Sequence, residues 1–273
     1  MAALARGSLQ FGKIQRLRFY TAWFCPYAQR AWIALEHKGS EHVEYESVEA
    51  LKIDPTTQKY IKDEGLLEAN PAGLVPTLTA HGGIEAGMHA CVVTESLLAV
   101  EFIDELAPDG PRLLPTDAWA RAHWRLFAKF VDERVCSPFY KVLVRRDAGE
   151  QAAAFASLVH GLRTFAAARD ETGPCFGGDA LGLVDIALAP WAYRLYLLEH
   201  YRGEAFRVPT AEEDASLAPY HEWAEHVLAH PSVVPTLADR EKLKKVYARY
   251  ADGSAHSKVA DAVRAGKAAH EHS

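Results

Sequence analysis

A cysteine followed directly by a proline stands near the start of the chain, in the run Phe24-Cys25-Pro26-Tyr27. Proline suits the first turn of a helix, because the N–H that it lacks would have no partner there. The pattern therefore predicts that Cys25 caps the N-terminus of a helix. Free N–H groups and the helix dipole favour negative charge at this end, so we expect a lowered pKa for the Cys25 thiol. Cys25 is the candidate nucleophile, and a buried structural cysteine is the alternative.

The remaining cysteines, Cys91, Cys136 and Cys175, are far from Cys25 and from one another in the sequence. The chain has no C-x-x-C pair and no spacing typical of zinc ligands, which disfavours a disulfide scaffold or a zinc site. Ala28 stands three residues after Cys25, where a second thiol would complete a C-x-x-C pair. A covalent intermediate on Cys25 therefore needs a thiol from outside the chain to release it.

Two further motifs have residue types suited to binding. The turn signal Asn70-Pro71-Ala72-Gly73 is followed by the strand-like run Leu74-Val75-Pro76-Thr77-Leu78. Because proline cannot donate to a sheet ladder, Pro76 marks an edge, a strand start or a tight turn, and a cis Val75-Pro76 bond is compatible with it. Thr94-Glu95-Ser96 precedes an apolar helical pattern, which on its own indicates an ordinary helix N-cap.

Composition disfavours several classes of function. The chain has 273 residues, of which 49% are hydrophobic and 24% charged, as is typical of a folded protein with two moderate domains. A net charge of −6, without a dense Lys/Arg cluster, disfavours nucleic-acid binding. No apolar run is long enough to predict a membrane span, and residues 1–10 do not resemble a signal peptide, so we expect a cytoplasmic protein.

Histidines in the C-terminal half raise the question of a metal site. His226 and His230 are one helical turn apart, with His221 and Glu222 nearby. No fourth ligand is evident in the sequence, and exposed helical histidines are common, so we expect no metal.

The N-terminal elements place Cys25 between a strand and a helix. Residues 17–20 predict a strand, 26–38 a helix ended by Gly39, and 43–48 an alternating second strand. Such a strand-helix-strand unit makes its two strands parallel. Further along, the sequence predicts a helical stretch over 54–64, a strand over 74–79, a hairpin loop over 81–90 and a helix over about 96–106.

The sequence after residue 107 changes from a mixed to a helical pattern. Three prolines and a glycine predict a linker over residues 108–116. We therefore assign one domain to residues 1–107, an all-helical domain to 117–250, and a tail to 251–273 that is either a terminal helix or loosely attached. The predicted helices cover residues 117–144, 149–169, 183–202, 217–230 and 235–250.

With these motifs the chain resembles the glutathione transferase superfamily, over about residues 17–250. The resemblance implies a thioredoxin-like α/β N-terminal domain followed by an all-α C-terminal domain. The run Phe24-Cys25-Pro26-Tyr27-Ala28-Gln29-Arg30 is most similar to the omega class, and next to the lambda class, in which cysteine replaces the tyrosine or serine of other classes. Residues 175–179 and 184–186 resemble the fold-nucleating segment of the helical domain, with Gly182 where the family has Ser or Thr. We interpret Asp185 as a buried structural carboxylate.

The resemblance implies glutathione as a co-substrate and no metal. It assigns the backbone of Val75, in front of a cis Pro76, to the cysteinyl part of glutathione, and Glu95 with Ser96 to the γ-glutamyl end. The family supplies a lysine to the glycine carboxylate, and Lys52 is the candidate, although Ile53 stands where a second basic residue is expected. The implied site consists of Cys25 as the catalytic residue and of Phe24, Pro26, Lys52, Val75, Pro76, Glu95 and Ser96 as glutathione-binding residues.

The family places its acceptor site between the two domains. Leu243 stands where the omega class is expected to have an aromatic residue, which predicts a wider pocket. The residues implied for this site, each of which taken alone is more typical of a core position, are Tyr27, Tyr140, Trp191, Arg194, Leu243 and Tyr250.

The function implied by the resemblance is that of a glutathione-dependent thiol transferase or reductase. Cys25 would become S-glutathionylated and be released by a second glutathione, with a small electrophilic or disulfide compound as acceptor. Dehydroascorbate reduction is compatible with this chemistry. One alternative is conjugation of glutathione to electrophiles, with Tyr20 as a hydroxyl donor, and another is a non-catalytic ligand carrier. A homodimer is a further expectation from the family.

Overall fold

The computed structural model describes residues 16–57, 59–80 and 92–271. Cys91 and the predicted hairpin loop over residues 81–90 lie outside this part of the chain. The chain divides into two compact units, an N-terminal unit of residues 1–52 and 62–111 and a helical unit of residues 53–61 and 112–273. No helix within the described ranges is long and apolar enough to cross a membrane.

Where the structure describes the first 111 residues, they form a mixed sheet, a separate hairpin and three helices. In chain order the elements are β1 (Leu17–Thr21), α1 (Pro26–Lys38), β2 (Tyr45–Glu49), β3 (Leu51–Ile53), β4 (Tyr60–Lys62), α2 (Glu64–Ala69), β5 (Thr77–Ala80), β6 (Val92–Val93) and α3 (Ser96–Leu106). The four-stranded sheet has the order β2-β1-β5-β6, and β3 pairs with β4 in a second sheet. The thioredoxin-like α/β fold expected for the N-terminal domain is confirmed.

The strand-helix-strand unit around Cys25 forms as the sequence predicts. β1 and β2 are parallel, with Leu17 opposite Tyr45, while β5 runs antiparallel to β1. Small and branched side chains of α1 are fully buried, which lets the helix pack closely against its neighbours. The helix ends at Gly39, whose φ of 77° is a conformation that glycine adopts without the steric cost of a side chain.

The prediction of a helical stretch over residues 54–64 is wrong. The structure has the β3–β4 hairpin there, and α2 begins only after Asp63, whose side chain accepts a hydrogen bond from the N–H of Leu66. In the hairpin turn, the Asp54 carboxylate accepts hydrogen bonds from the backbone N–H groups of Thr56 and Thr57, both at 2.8 Å. The same side-chain contact also occurs at helix starts, so the local signal does not distinguish the two structures; here the chain turns back and β4 pairs with β3.

The helical unit contains eight α-helices within its described residues. They are α4 (Ala118–Val131), α5 (Ser137–Val144), α6 (Ala148–Ala168), α7 (Leu183–Ala192), α8 (Tyr196–Arg202), α9 (Ala218–Leu228), α10 (Arg240–Asp252) and α11 (Lys258–Arg264). The helix predicted over 117–144 is continuous but contains a π-helical segment, Asp132–Cys136, between α4 and α5. The helix predicted over 183–202 is two helices, because the chain turns at residues 193–195. The predicted helix over 235–250 starts later, at Arg240, and is preceded by the 3-10 turn Val234–Thr236.

Asp185 has the structural role expected of it. Its side chain is fully buried near the start of α7 and accepts hydrogen bonds from Phe176 N at 2.7 Å, Gly182 N at 2.9 Å and Trp223 Nε1 at 2.7 Å. Steric contact explains why position 182 is a glycine, since a Cβ there would lie 2.3 Å from the ring of Trp124. The tryptophan therefore occupies the space that a serine or threonine cap would take.

The C-terminal segment is helical and packed. α11 buries Ala260 and Val263, and further along the N–H of Ala269 donates to Ser137 Oγ at 3.0 Å. Within the described residues, this segment therefore contains a helix that packs against the rest of the helical unit.

Candidate active site

Cys25 lies at the N-cap of α1, as predicted, with Pro26 as the first helical residue. Its backbone N–H donates to Ala22 O at 2.9 Å, and its carbonyl accepts from Gln29 N at 3.0 Å, which fixes the turn from β1 into the helix. The thiol is half-buried, and Sγ lies 4.0 Å from the carbonyl oxygen of Val75. The nucleophile candidate and the proline motif, 50 residues apart in sequence, are therefore neighbours.

The other described cysteines are unsuited to reaction. Cys136 and Cys175 are fully buried, whereas Cys25 is partly exposed. Burial, together with the nearby charge of Asp185, raises the pKa of Cys175 to about 12. Since the thiolate is the reactive form, Cys25 is the favoured nucleophile among these three residues.

The segment before β5 presents the backbone of Val75 through a network of its own side chains. The bond between Val75 and Pro76 is cis. Asn70 Nδ2 donates to Leu74 O at 3.3 Å and to Thr77 Oγ1 at 3.1 Å, and the Thr77 hydroxyl donates to Leu74 O at 2.8 Å. The turn is thus held from both sides of the proline.

Glu95 and Ser96 stand at the start of α3. Glu95 has φ 67° and ψ 119°, which is an unusual conformation for a residue with a side chain. Its side chain is exposed, whereas Ser96 is 8% exposed and its Oγ accepts a hydrogen bond from Arg30 Nη1 at 3.1 Å. The N-terminal end of α3 is therefore linked to α1, the helix that carries Cys25.

Lys52, the lysine expected at the glycine end of glutathione, is exposed on β3. Burial raises the pKa of Glu49, and the positive charge of Lys52 partly offsets this rise. A second lysine has a different setting. Lys62, at the end of β4, is partly buried and donates from Nζ to Ala72 O at 3.1 Å. Lys62 is thus held against the turn that leads to Val75, and sequence reasoning missed it. The aromatic Tyr60 and the β-branched Ile61, directly before the Asp63 cap, are the residue types that indicate a strand ending at Lys62.

Residues expected in the acceptor site are mostly buried. Tyr27, in α1, is 9% exposed. In the helical unit, Trp191, Arg194 and Leu243 are fully buried, and Arg194 Nη1 donates to Pro190 O at 2.7 Å. The structure brings two further candidates of that unit together, since the rings of Tyr140 and Tyr250 are 5.6 Å apart.

Histidines of the helical unit have local partners. His221 Nε2 is 2.8 Å from Pro209 O, and His230 Nδ1 accepts from Ser232 N at 3.1 Å. Over the described ranges, no group of three or more His, Cys, Asp or Glu side chains could hold a metal ion.

Comparison with known proteins identifies the family. A family model described as "Glutathione S-transferase, N-terminal domain" matches residues 24–106. The protein named glutathione S-transferase U13 from Arabidopsis thaliana is 30% identical over 226 residues, which are 81% of this chain and 90% of the relative. The chain belongs to the glutathione S-transferase family.

Solved structures of this family confirm the fold. Glutathione transferase Omega 3C from Trametes versicolor has 34% identity and a TM-score of 0.69, covering 88% of this chain and 92% of its own. A Tau-class glutathione S-transferase from mango, Mangifera indica, has 26% identity and the same TM-score, covering 88% of this chain and 100% of its own. The similarity extends to more than one class of the family.

Proposed function

We propose that this family member is a glutathione-dependent thiol transferase or reductase of omega type, with Cys25 as its nucleophile. The observation that carries the proposal is a partly exposed thiol at the N-cap of α1, 4.0 Å from the carbonyl of Val75 next to a cis proline. Free N–H groups at a helix N-terminus favour a thiolate, and a neighbouring backbone of this kind suits an extended thiol peptide.

The reaction would proceed in two exchange steps. The Cys25 thiolate attacks the glutathionyl sulfur of a mixed disulfide, forming a Cys25–glutathione disulfide and releasing the acceptor as a thiolate that takes up a proton. A second glutathione thiolate then attacks the glutathionyl sulfur of this intermediate, giving oxidised glutathione and regenerating the Cys25 thiolate. Ala28 follows Cys25 at the position of a resolving thiol, so free glutathione is the required reductant. Dehydroascorbate reduction, at the expense of two glutathione molecules, is compatible with this cycle.

We infer that glutathione is bound along the N-terminal unit. The backbone of Val75 would hold its cysteinyl part, and Glu95 and Ser96 its γ-glutamyl end, with Phe24 and Pro26 flanking the thiol. A related rice enzyme has been solved in complex with glutathione, which supports the co-substrate. For the glycine carboxylate, the position of Lys62 beside the turn favours it over the exposed Lys52.

The second candidate function is conjugation of glutathione to electrophiles. The Tau-class neighbour favours it, since the family includes classes other than omega. In this chain, Tyr20 would have to activate the thiol of glutathione, but it is 2% exposed and its hydroxyl lies against α2, 2.7 Å from the position of a Cβ on Gly65. A buried hydroxyl of this kind is poorly placed to meet a ligand, which favours the cysteine mechanism. A non-catalytic carrier would bind glutathione but would show neither thiol transferase nor conjugation activity.

One experiment separates these functions. The parent protein, Cys25→Ser and the control Cys175→Ala are incubated with oxidised glutathione and analysed by peptide mass spectrometry, followed by thiol transferase and conjugation assays. We expect a glutathione adduct of about 305 Da on the Cys25 peptide of the parent and the control, and loss of disulfide reduction in Cys25→Ser. Disulfide reduction that survives in Cys25→Ser would disprove the mechanism. Binding of glutathione with neither activity would instead show a carrier.

We further propose a cytoplasmic homodimer that takes a small disulfide or electrophilic acceptor, on the basis of the family. Light scattering coupled to gel filtration tests the assembly, and a mass of 30.1 kDa would show a monomer instead.

A further inference from the structure

A buried arginine lies behind the start of α3. Arg30, in the second turn of α1, is 0% exposed, and its Nη1 donates to Ser96 Oγ at 3.1 Å. Its guanidinium also lies 5.6 Å from the ring centre of Tyr27. A fully buried cation is costly unless polar groups face it, and Ser96 Oγ is one such group.

The hydrogen bond constrains the direction of the serine hydroxyl. A serine hydroxyl has one proton to donate and two lone pairs, and a guanidinium can only donate. Because Arg30 fills one lone pair of Ser96, the serine proton must point away from the guanidinium. Ser96 is the first residue of α3, a helix of 11 residues. The first N–H groups of this helix, which have no partner within it, therefore lie near the Ser96 hydroxyl.

We propose that Arg30 is a positioning residue, which orients the Ser96 hydroxyl as a donor to the α-carboxylate of the γ-glutamyl group of glutathione. This inference rests on the proposed binding of glutathione at Ser96. Arg30 contributes in two ways: it fixes the serine proton outward, and its buried positive charge strengthens the attraction for an anion. Because Arg30 and Cys25 are on one helix, the same element then positions both ends of the γ-glutamyl-cysteine part.

The planar guanidinium is the group suited to this task. It holds its donors in a fixed fork, whereas the ammonium of a lysine has three donors on a flexible stem. We therefore expect Arg30→Lys to retain the charge but to lose part of the orientation, and Arg30→Met to lose both.

The test measures binding of two peptides by calorimetry. One is S-methylglutathione, which cannot exchange with Cys25, and the other is its analogue with 4-aminobutyrate in place of the γ-glutamyl residue, which lacks only the α-carboxylate. We expect Arg30→Met and Ser96→Ala each to weaken S-methylglutathione by about tenfold or more, as for one hydrogen bond to a charged group. Both should change binding of the analogue by less than about twofold, because the group that they recognise is missing.

A matched control separates orientation from stability. Lys38 is also a buried cation that joins α1 to α3, through Asp104 Oδ1 at 2.6 Å, but it does not contact Ser96 in the described network. Lys38→Met should lower the thermal midpoint while keeping the ratio of the two affinities at its parent value. Equal losses of both peptides in Arg30→Met would overturn the inference. If Arg30→Met does not fold, the test is made with Arg30→Lys. In that variant, a ratio of the two peptide affinities equal to that of the parent would also refute the inference.

The outcome is distinguishable from failure of the proposed function. If the parent protein forms no glutathione adduct on Cys25, the thiol transferase proposal fails whatever Arg30 does. If the adduct forms and Ser96→Ala changes the affinity ratio while both Arg30 variants leave it unchanged, only the positioning role is refuted.

Discussion

Selective alkylation of the cysteines tests the assignment of Cys25 most directly. The native protein is treated with iodoacetamide at pH 7.5, and the modification of each cysteine peptide is followed over time. We expect Cys25 to react first and Cys175 to remain unmodified until the protein is unfolded, because only the thiolate reacts and Cys175 is fully buried.

The expected difference follows from the pKa of Cys175. Burial raises this pKa from 9.0 to about 12, so its thiolate fraction at neutral pH is smaller by about a thousandfold than that of an ordinary thiol. A thiolate of higher pKa is more nucleophilic, which returns about thirtyfold of this deficit and leaves about thirtyfold. The reagent reaches Cys175 only after a local opening, which at a cost of about 3 kcal/mol lowers the rate about a hundredfold or more. Because opening also removes the burial that raises the pKa, the two factors are not multiplied, and we expect Cys175 to react at least about a hundredfold more slowly than an exposed ordinary thiol.

The assay has internal controls. Peptide-level mass spectrometry distinguishes the four cysteines, and Cys25→Ser should remove the fast reaction without accelerating Cys175. In denaturant the two peptides should be labelled at similar rates, which verifies that both are detected. Labelling of Cys175 in the native protein within tenfold of Cys25 would refute the reasoning.

Three further predictions concern binding and stability. Lys62→Met should raise the KM for glutathione about tenfold, whereas Lys52→Met should change it less than about twofold; equal effects in initial-rate kinetics would contradict the assignment of Lys62. Asp185→Ala leaves three buried donors without their acceptor and should lower the free energy of unfolding by about 3 kcal/mol or more, and a loss under 1 kcal/mol in urea titrations would argue against this role. Truncation after Gly253 removes α11 and should lower the thermal midpoint by several degrees in calorimetry, because α11 buries apolar side chains; an unchanged midpoint would show that the segment contributes no stability.

The surroundings of Cys25 could be predicted because the signals are local. A proline after the cysteine, a glycine at the end of the helix and an alternating strand each have a physical meaning within a few residues. The parallel direction of β1 and β2 then follows from the crossover connection through α1. The proximity of Cys25 to Val75, in contrast, depends on the antiparallel pairing of β5 with β1, and only the family resemblance pointed to it.

The hairpin and the choice of lysine could not be predicted in the same way. The polar stretch over residues 54–64 has helical composition, and the contact of Asp54 with two backbone N–H groups that follow it is found in turns as well as at helix starts. A helix over this stretch leaves no strand to carry Lys62, so the sequence pattern favours Lys52. The hairpin instead places Lys62 beside the turn before Val75, which is why we propose it for the glycine end of glutathione.

Two details of the helical unit depend on burial and packing in the folded chain. The break between α7 and α8 lies in a region of continuous apolar pattern, where Arg194 is fully buried and bonded to the carbonyl of Pro190. The glycine at position 182 likewise depends on Trp124, which is 58 residues earlier in the sequence. Periodicity gives the location of helices, but the burial of Arg194 and the space that Trp124 takes beside Gly182 exist only in the folded chain.

The backbone of Glu95 has a consequence for how this protein can evolve. A side chain at φ 67° and ψ 119° costs about 1 to 3 kcal/mol, a cost that glycine does not have. Selection for heat resistance alone should therefore enrich glycine at position 95 in a mutant library, whereas selection for turnover should retain glutamate. The two selections would separate at one codon, and the ratio of glycine to glutamate would report which of them had acted on a population.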